Sequence, residues 1–149
     1  MNLEGKRVIV VGLGVSGRAA ARLAVAKGAT VIGADLSQDI EPIEGVELVL
    51  GPHPVGLFQG ADLLVLSPGV PPEKLNLQAA RAAGVAIMGE LGFAASFVSA
   101  PMIGITGTNG KSTVTSFVAQ LAAEAGLDVF SGGNLGNPLS SAVLSGKNY

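Results

Sequence analysis

The stretch GITGTNGKST, residues 104–113, gathers the residue types that hold polyphosphate. Gly107 and Gly110 let the backbone come close to a ligand, so that main-chain N–H groups at a helix start can face phosphate oxygens. Lys111 would set a positive charge on the outer phosphates, and the Ser112 hydroxyl would hold Mg2+, with Thr113 beside it. The chemistry this implies is handling of a nucleoside triphosphate with its magnesium. The spacing is shifted by one from G-x-x-x-x-G-K-[ST]: position 105 is Ile, and the leading glycine is Gly104. The competing reading is a glycine-rich strand-to-helix turn with a solvated lysine.

A second glycine loop, GLGVSG, places Gly12, Gly14 and Gly17 in the pattern G-x-G-x-x-G, and Asp35 follows at the end of the next apolar run. Glycines at this spacing permit a tight turn, close approach to a diphosphate, and close helix–strand packing. Such a loop holds any diphosphate, so NAD, FAD and a nucleotide sugar all remain open; a ligand-free turn would show the same glycines. Asp35 can bind a ribose or cap a strand end. Two more stretches follow apolar runs, where open α/β sheets gather ligands: SPGVPP (67–72) and GGNLGNP (132–138), the latter with Asn134. Turn chemistry alone would also account for both. His53, in GPHP, reads as a surface histidine, and Glu90 and Glu124 as helix-surface residues. Nothing in the sequence offers a Ser/His/Asp or Cys/His arrangement for nucleophilic catalysis.

These loops need strands and helices to hold them, and the pattern supplies both. RVIVVG (7–12), TVIGAD (30–35), VELVLG (46–51), ADLLVLSPG (61–69) and VAIM (85–88) read as strands. Between and after them, 17–28, 73–84 and 89–98 read as helices. In the first, Ala20, Leu23 and Ala24 share a face and Gly28 is the stop. In the last, Leu91, Ala94, Ala95 and Val98 follow the i, i+3, i+4, i+7 spacing. Short β-rich runs interleaved with helices predict a parallel sheet covered on both faces. The pattern restarts after Ser99–Pro101: strand 102–107, the phosphate loop, and a helix with Val114, Phe117, Val118, Leu121 and Ala122 in an apolar stripe ended by Gly126. A further strand covers 127–133. The expectation is an α/β protein. Residues 1–98 form a Rossmann-like parallel-sheet domain, and residues 99–149 begin a P-loop ATPase-type α/β domain. One strand–helix–strand unit cannot bury both sheet faces, so the chain reads as the front part of a longer protein. Its last segment is expected to pack on the first domain or on a neighbouring copy.

The chain has 149 residues, 48% of them hydrophobic, and a net charge of −2. There is no basic stripe, which argues against nucleic acid as the partner. No apolar run approaches the roughly 18 residues of a membrane span, and the start has no signal-peptide pattern. Zero cysteines and a single histidine leave only carboxylates for a metal site built from side chains, and fit a reducing cytoplasm. Glycine, at 22 residues, is far above the usual share of about 7%.

The shifted phosphate loop, GITGTNGKST, resembles the ATP loop of the Mur ligases, amide-bond-forming enzymes of bacterial cell-wall synthesis. Together with GLGVSG, SPGVP and GGNLGNP in that order, it most resembles the D-glutamate-adding branch of that family, over essentially the whole chain. The resemblance implies a cytoplasmic, monomeric ATP-dependent ligase of peptidoglycan synthesis, and so a part in cell shape and division. Its substrates would be UDP-N-acetylmuramoyl-L-alanine and D-glutamate, joined by way of an acyl phosphate. Gly14, Val15, Ser16 and Gly17 would then line the diphosphate and uracil, with Asp35 and Leu36 near the uracil. Ser67, Pro68 and Gly69 would border the same pocket, and Asn134 would reach the substrate from the central domain. Gly107, Thr108, Asn109, Gly110, Lys111, Ser112 and Thr113 would hold ATP and Mg2+. Lys111 would take the catalytic part and Ser112 the metal. Leu36 and Ser37 depart from the Thr-Arg pair that family members often carry. The family's further magnesium-binding acid, modified lysine and amino-acid-binding domain would lie beyond Tyr149, so the chain alone is expected to be inactive. The alternatives from other classes are an NAD(P)-dependent oxidoreductase or nucleotide sensor, and a non-catalytic binding module.

Overall fold

The computed structural model describes the chain apart from residues 55, 134, 135 and 148. Five strands, β1 (Arg7–Val11), β2 (Thr30–Asp35), β3 (Val46–Leu50), β4 (Leu63–Leu66) and β5 (Ala86–Gly89), form one sheet in the order β3-β2-β1-β4-β5. All its pairings are parallel. This is the doubly wound order that reverses direction at β1, where α/β sheets open a crevice at their C-terminal edge. In β1, Val8 and Val10 face one apolar layer while Ile9 and Val11 face the other, so the central strand is buried on both sides. Helix α1 (Val15–Ala26) covers the first layer with Ala20, Leu23 and Ala24, the predicted face. It stops where Gly28 adopts a φ of +81°, as its position promised. Helix α2 (Gln78–Ala82) lies over the other layer.

Two helices differ from expectation. The predicted helix over 73–84 is a short turn, Pro72–Lys74, followed after an extended Leu75 by α2 alone. Leu77 is buried against the sheet, and anchoring it there overrides the local helical periodicity. Helix α3 spans Glu90–Ala95, shorter than the predicted 89–98. Its inward face is Glu90, Phe93 and Ala94, whereas Leu91 is exposed. Phe93, the largest fully buried side chain, sets that rotation, and its ring meets Phe97 edge-on at 5.3 Å.

The restarted unit is only partly as expected. Helix α4 (Lys111–Glu124) forms and ends at Gly126, but none of its residues is buried, and Phe117 is 61% exposed. Residues 102–107 and 127–133 are not strands. A strand draws its hydrogen bonds from neighbours, and these two segments find none in the five-stranded sheet or in each other. Helix α5 (Leu139–Ser145), by contrast, packs against α1 and α3. The expected docking on the first domain therefore holds for α5 and not for α4.

At the far end of the sheet, Asp62 ties β4 to β1. Its carboxylate accepts the Arg7 N–H at 2.8 Å and the Lys6 ammonium at 3.0 Å. The Arg7 N–H first, and the Lys6 ammonium next, hold this acid below the ordinary aspartate value of 3.8. A depressed acid contributes stability above its unfolded value and loses it as pH falls through the folded one. Thermal melts of Asp62→Asn should therefore lie below those of the parent at pH 7, with the gap closing below pH 3.8. A gap that persists at lower pH would point to a defect other than the lost charge.

Candidate functional site

The crevice at the C-terminal edge begins with the loop between β1 and α1. Gly12 has a φ of +84°, and its N–H bonds the Ala34 carbonyl at 2.8 Å. Its own carbonyl accepts the Ser67 hydroxyl at 2.7 Å. Asp35 braces the loop from the end of β2: one carboxylate oxygen accepts the Leu13 N–H and the other accepts the Ser37 N–H at 2.9 Å. Gly14 then caps α1 without any side-chain hydrogen bond. The first intrahelical bond is Arg18 N–H to Gly14 O at 2.9 Å, so the amides of Val15, Ser16 and Gly17 are left as the open donors of a helix start. An added methyl at Gly14 would meet nothing within 4 Å, which is the open side from which an anion can approach.

Around this loop lies a cleft of about 820 Å³. It brings together Gly14, Val15, Ser16, Asp35, Leu36, Ser67, Pro68 and Gly69, residues singled out from two separate motifs and the end of β2. Gly17 sits beneath it rather than on its wall, with the Gly12 carbonyl and the Ser67 hydroxyl against its α-carbon. Asn134 lies outside the described residues. The cleft also has walls that the motifs did not reveal: Pro52, His53 and Pro54 after β3, Phe58, and Lys74 and Asn76 after β4. His53, expected on the surface, is half-buried there, edge-on to Phe58 at 5.7 Å between ring centroids. The available signal was positional: these residues follow C-terminal ends of strands, where the crevice must form.

The second loop stands apart from that cleft. Gly107 and Gly110 have φ of +148° and +76°, and Gly110 starts α4 with no side-chain cap. Val114 N–H to Gly110 O, at 2.9 Å, is the first intrahelical bond, so the amides of Lys111, Ser112 and Thr113 form a second open helix start. The Lys111 ammonium folds back onto the carbonyls of Gly107 and Thr108, its nitrogen 3.2 Å from the latter. That curl holds the cation against the loop's own carbonyls, and Ser112 and Thr113 are exposed. The donor set suits a polyphosphate. Among the described residues no group of His, Asp and Glu side chains could hold a metal ion.

Fold and loops together define a Rossmann-like α/β domain with a crevice at the C-terminal edge of its sheet, followed by a second glycine loop that opens a helix. Residues 6–89 match the family described as Mur ligase MurD-like, N-terminal domain, and the chain belongs to that family. It is 43% identical to a UDP-N-acetylmuramoylalanine–D-glutamate ligase of Desulfatibacillum aliphaticivorans, over 93% of this chain and 33% of the relative. It is 48% identical to the ligase of the same name from Anaeromyxobacter dehalogenans, over 97% of this chain and 33% of the relative. The chain thus spans about a third of the length of the curated relatives it matches. Among solved structures, a pseudomurein peptide ligase type C from Methanothermus fervidus superposes with a TM-score of 0.54 at 29% identity, over 83% of this chain and 27% of that one. These relatives are ligases, and the oxidoreductase alternative is set aside.

Proposed function

We propose that this chain carries the UDP-precursor site and the ATP loop of an ATP-dependent ligase that joins D-glutamate to UDP-N-acetylmuramoyl-L-alanine. The observation that carries the reading is the cleft, where an uncapped helix start and the Ser67–Gly69 loop converge on one space of about 820 Å³. The name shared by the curated relatives supports the choice of substrates. In this reading Val15 and Ser16, on the cleft wall, donate backbone N–H groups to the diphosphate, aided by the positive end of the α1 dipole, and Gly17 lets α1 pack close beneath them. Asp35, both of whose oxygens already accept backbone N–H groups, holds the loop in shape, and the uracil lies past it beside Leu36. Ser67, Pro68 and Gly69 border the sugar side. The amides from Gly107 to Thr113 and the Lys111 ammonium hold the triphosphate, and Ser112 holds its Mg2+. When bound, Mg-ATP supplies the phosphoryl group that activates the substrate carboxylate for attack by the D-glutamate amine. Lys111 neutralises charge as that group moves. The partners are therefore small molecules, in the cytoplasm where their nucleotide precursors are made.

Calorimetric titration of the chain tests this directly. UDP-N-acetylmuramoyl-L-alanine is expected to bind and NAD is not, and Mg-ATP is expected to lose roughly tenfold or more in affinity in Lys111→Ala. Binding of NAD without the uridine compound would overturn the assignment.

A further inference from the structure

Resting on the reading above, we infer that His53 recognises the uracil, donating its Nε2–H to the 4-carbonyl and so selecting uridine over cytidine nucleotides. The starting observation is an orphan. His53 Nδ1 is enclosed and has no hydrogen-bond partner among the described residues. A neutral imidazole carries one N–H and one lone pair. Putting the proton on Nδ1 would bury a donor with no acceptor, which is more costly than burying a lone pair without a partner. The proton therefore belongs on Nε2. His53 offers the cleft one N–H donor on a ring that Phe58 holds edge-on.

Its place in the sheet fits the base. With the diphosphate at the end of β1, residues following β3 stand two strand spacings away, roughly 10 Å. That is the reach of a ribose and base. The Gly51 N–H, bonded to the Asp35 carbonyl at 2.9 Å, fixes the start of this loop against the end of β2. Of the cleft residues at the end of β2, Asp35 already accepts two backbone N–H groups, and Leu36 has no polar side-chain atom. Uracil presents a carbonyl at its 4-position and cytosine presents an amine there. A fixed N–H donor bonds the first and opposes the second. Phe58, buried edge-on to the ring, keeps that side of the contact apolar.

The test is the ratio of UDP to CDP affinity in the parent, His53→Phe and His53→Gln. His53→Phe keeps a ring against Phe58 and removes the donor; His53→Gln puts an amide N–H near the Nε2 position. The parent should favour UDP by roughly tenfold or more, His53→Phe should bring the ratio near one, and His53→Gln should keep most of it. An unchanged ratio in His53→Phe overturns the assignment while leaving the uridine site standing. Absence of any uridine-nucleotide binding by the parent overturns both. Nitrogen-15 spectra of the ligand-free chain give an independent reading: a proton on Nδ1 would also overturn it.

Discussion

Gly17→Ala is expected to abolish binding of uridine nucleotides and to destabilise the domain by about 3 kcal/mol or more, at the upper end of overpacking costs. A β-carbon built there lies 1.7 Å from the Gly12 carbonyl oxygen and 2.6 Å from the Ser67 hydroxyl. Neither can yield cheaply. The Gly12 carbonyl is backbone, and its hydrogen bond from Ser67 at 2.7 Å joins the first glycine loop to the loop after β4. Pushing α1 away would open the layer formed by Ala20, Leu23 and Ala24, all buried to within 1%. Gly14→Ala is the informative partner. Its β-carbon would meet nothing within 4 Å, so the fold should melt near the parent temperature. The added methyl would nevertheless stand where the diphosphate approaches, and affinity should fall at least tenfold. Thermal melts and calorimetry on the two variants separate the roles. Equal melting temperatures would refute the packing argument, and undiminished affinity in Gly14→Ala would move the diphosphate elsewhere.

That pair also shows what the sequence made legible and what it did not. G-x-G-x-x-G after a β-branched run disclosed β1, the turn and α1 together, because each glycine answers a different steric demand within a few residues of chain. The three central strands, β1, β2 and β4, were readable for the same reason: a parallel strand buried on both faces must be nearly all apolar, and these runs are. What failed depended on partners distant in sequence. The segments 102–107 and 127–133 were read as strands, but a strand exists only where another offers its edge. Phe117 and Leu121 form a sound helical stripe, and α4 is a helix, yet composition could not say what would cover it. His53 looked like a surface residue because its neighbours in sequence are prolines. Its neighbours in space are Phe58 and the cleft, and no local pattern records that.

Glu90 is the residue most misread from sequence, and removing it should have the second large effect. Glutamate in the first turn of a short helix normally faces water and favours the helix dipole. Here it is 3% exposed, and one carboxylate oxygen accepts both the Ser140 N–H at 2.9 Å and the Ser140 hydroxyl at 2.6 Å. Ser140 is itself fully buried in the first turn of α5, so the carboxylate serves that helix as a cap supplied from 50 residues away. It is also what makes burying the acid tolerable, since a buried charge without such donors would be far too costly. Glu90→Ala would leave the buried N–H and hydroxyl of Ser140 without an acceptor, at about 1–3 kcal/mol each, and open a space beside Phe93. Because α5 is a short helix held by packing on α1 and α3, the loss should appear as local detachment before global unfolding. Hydrogen exchange at the Ser140–Ser145 amides should accelerate by roughly a hundredfold, equivalent to about 3 kcal/mol, while β1 and β4 stay protected. Glu90→Gln, which keeps the shape and one acceptor oxygen, should recover part of that protection. Uniform acceleration across the sheet would instead make Glu90 an ordinary core residue of the first domain.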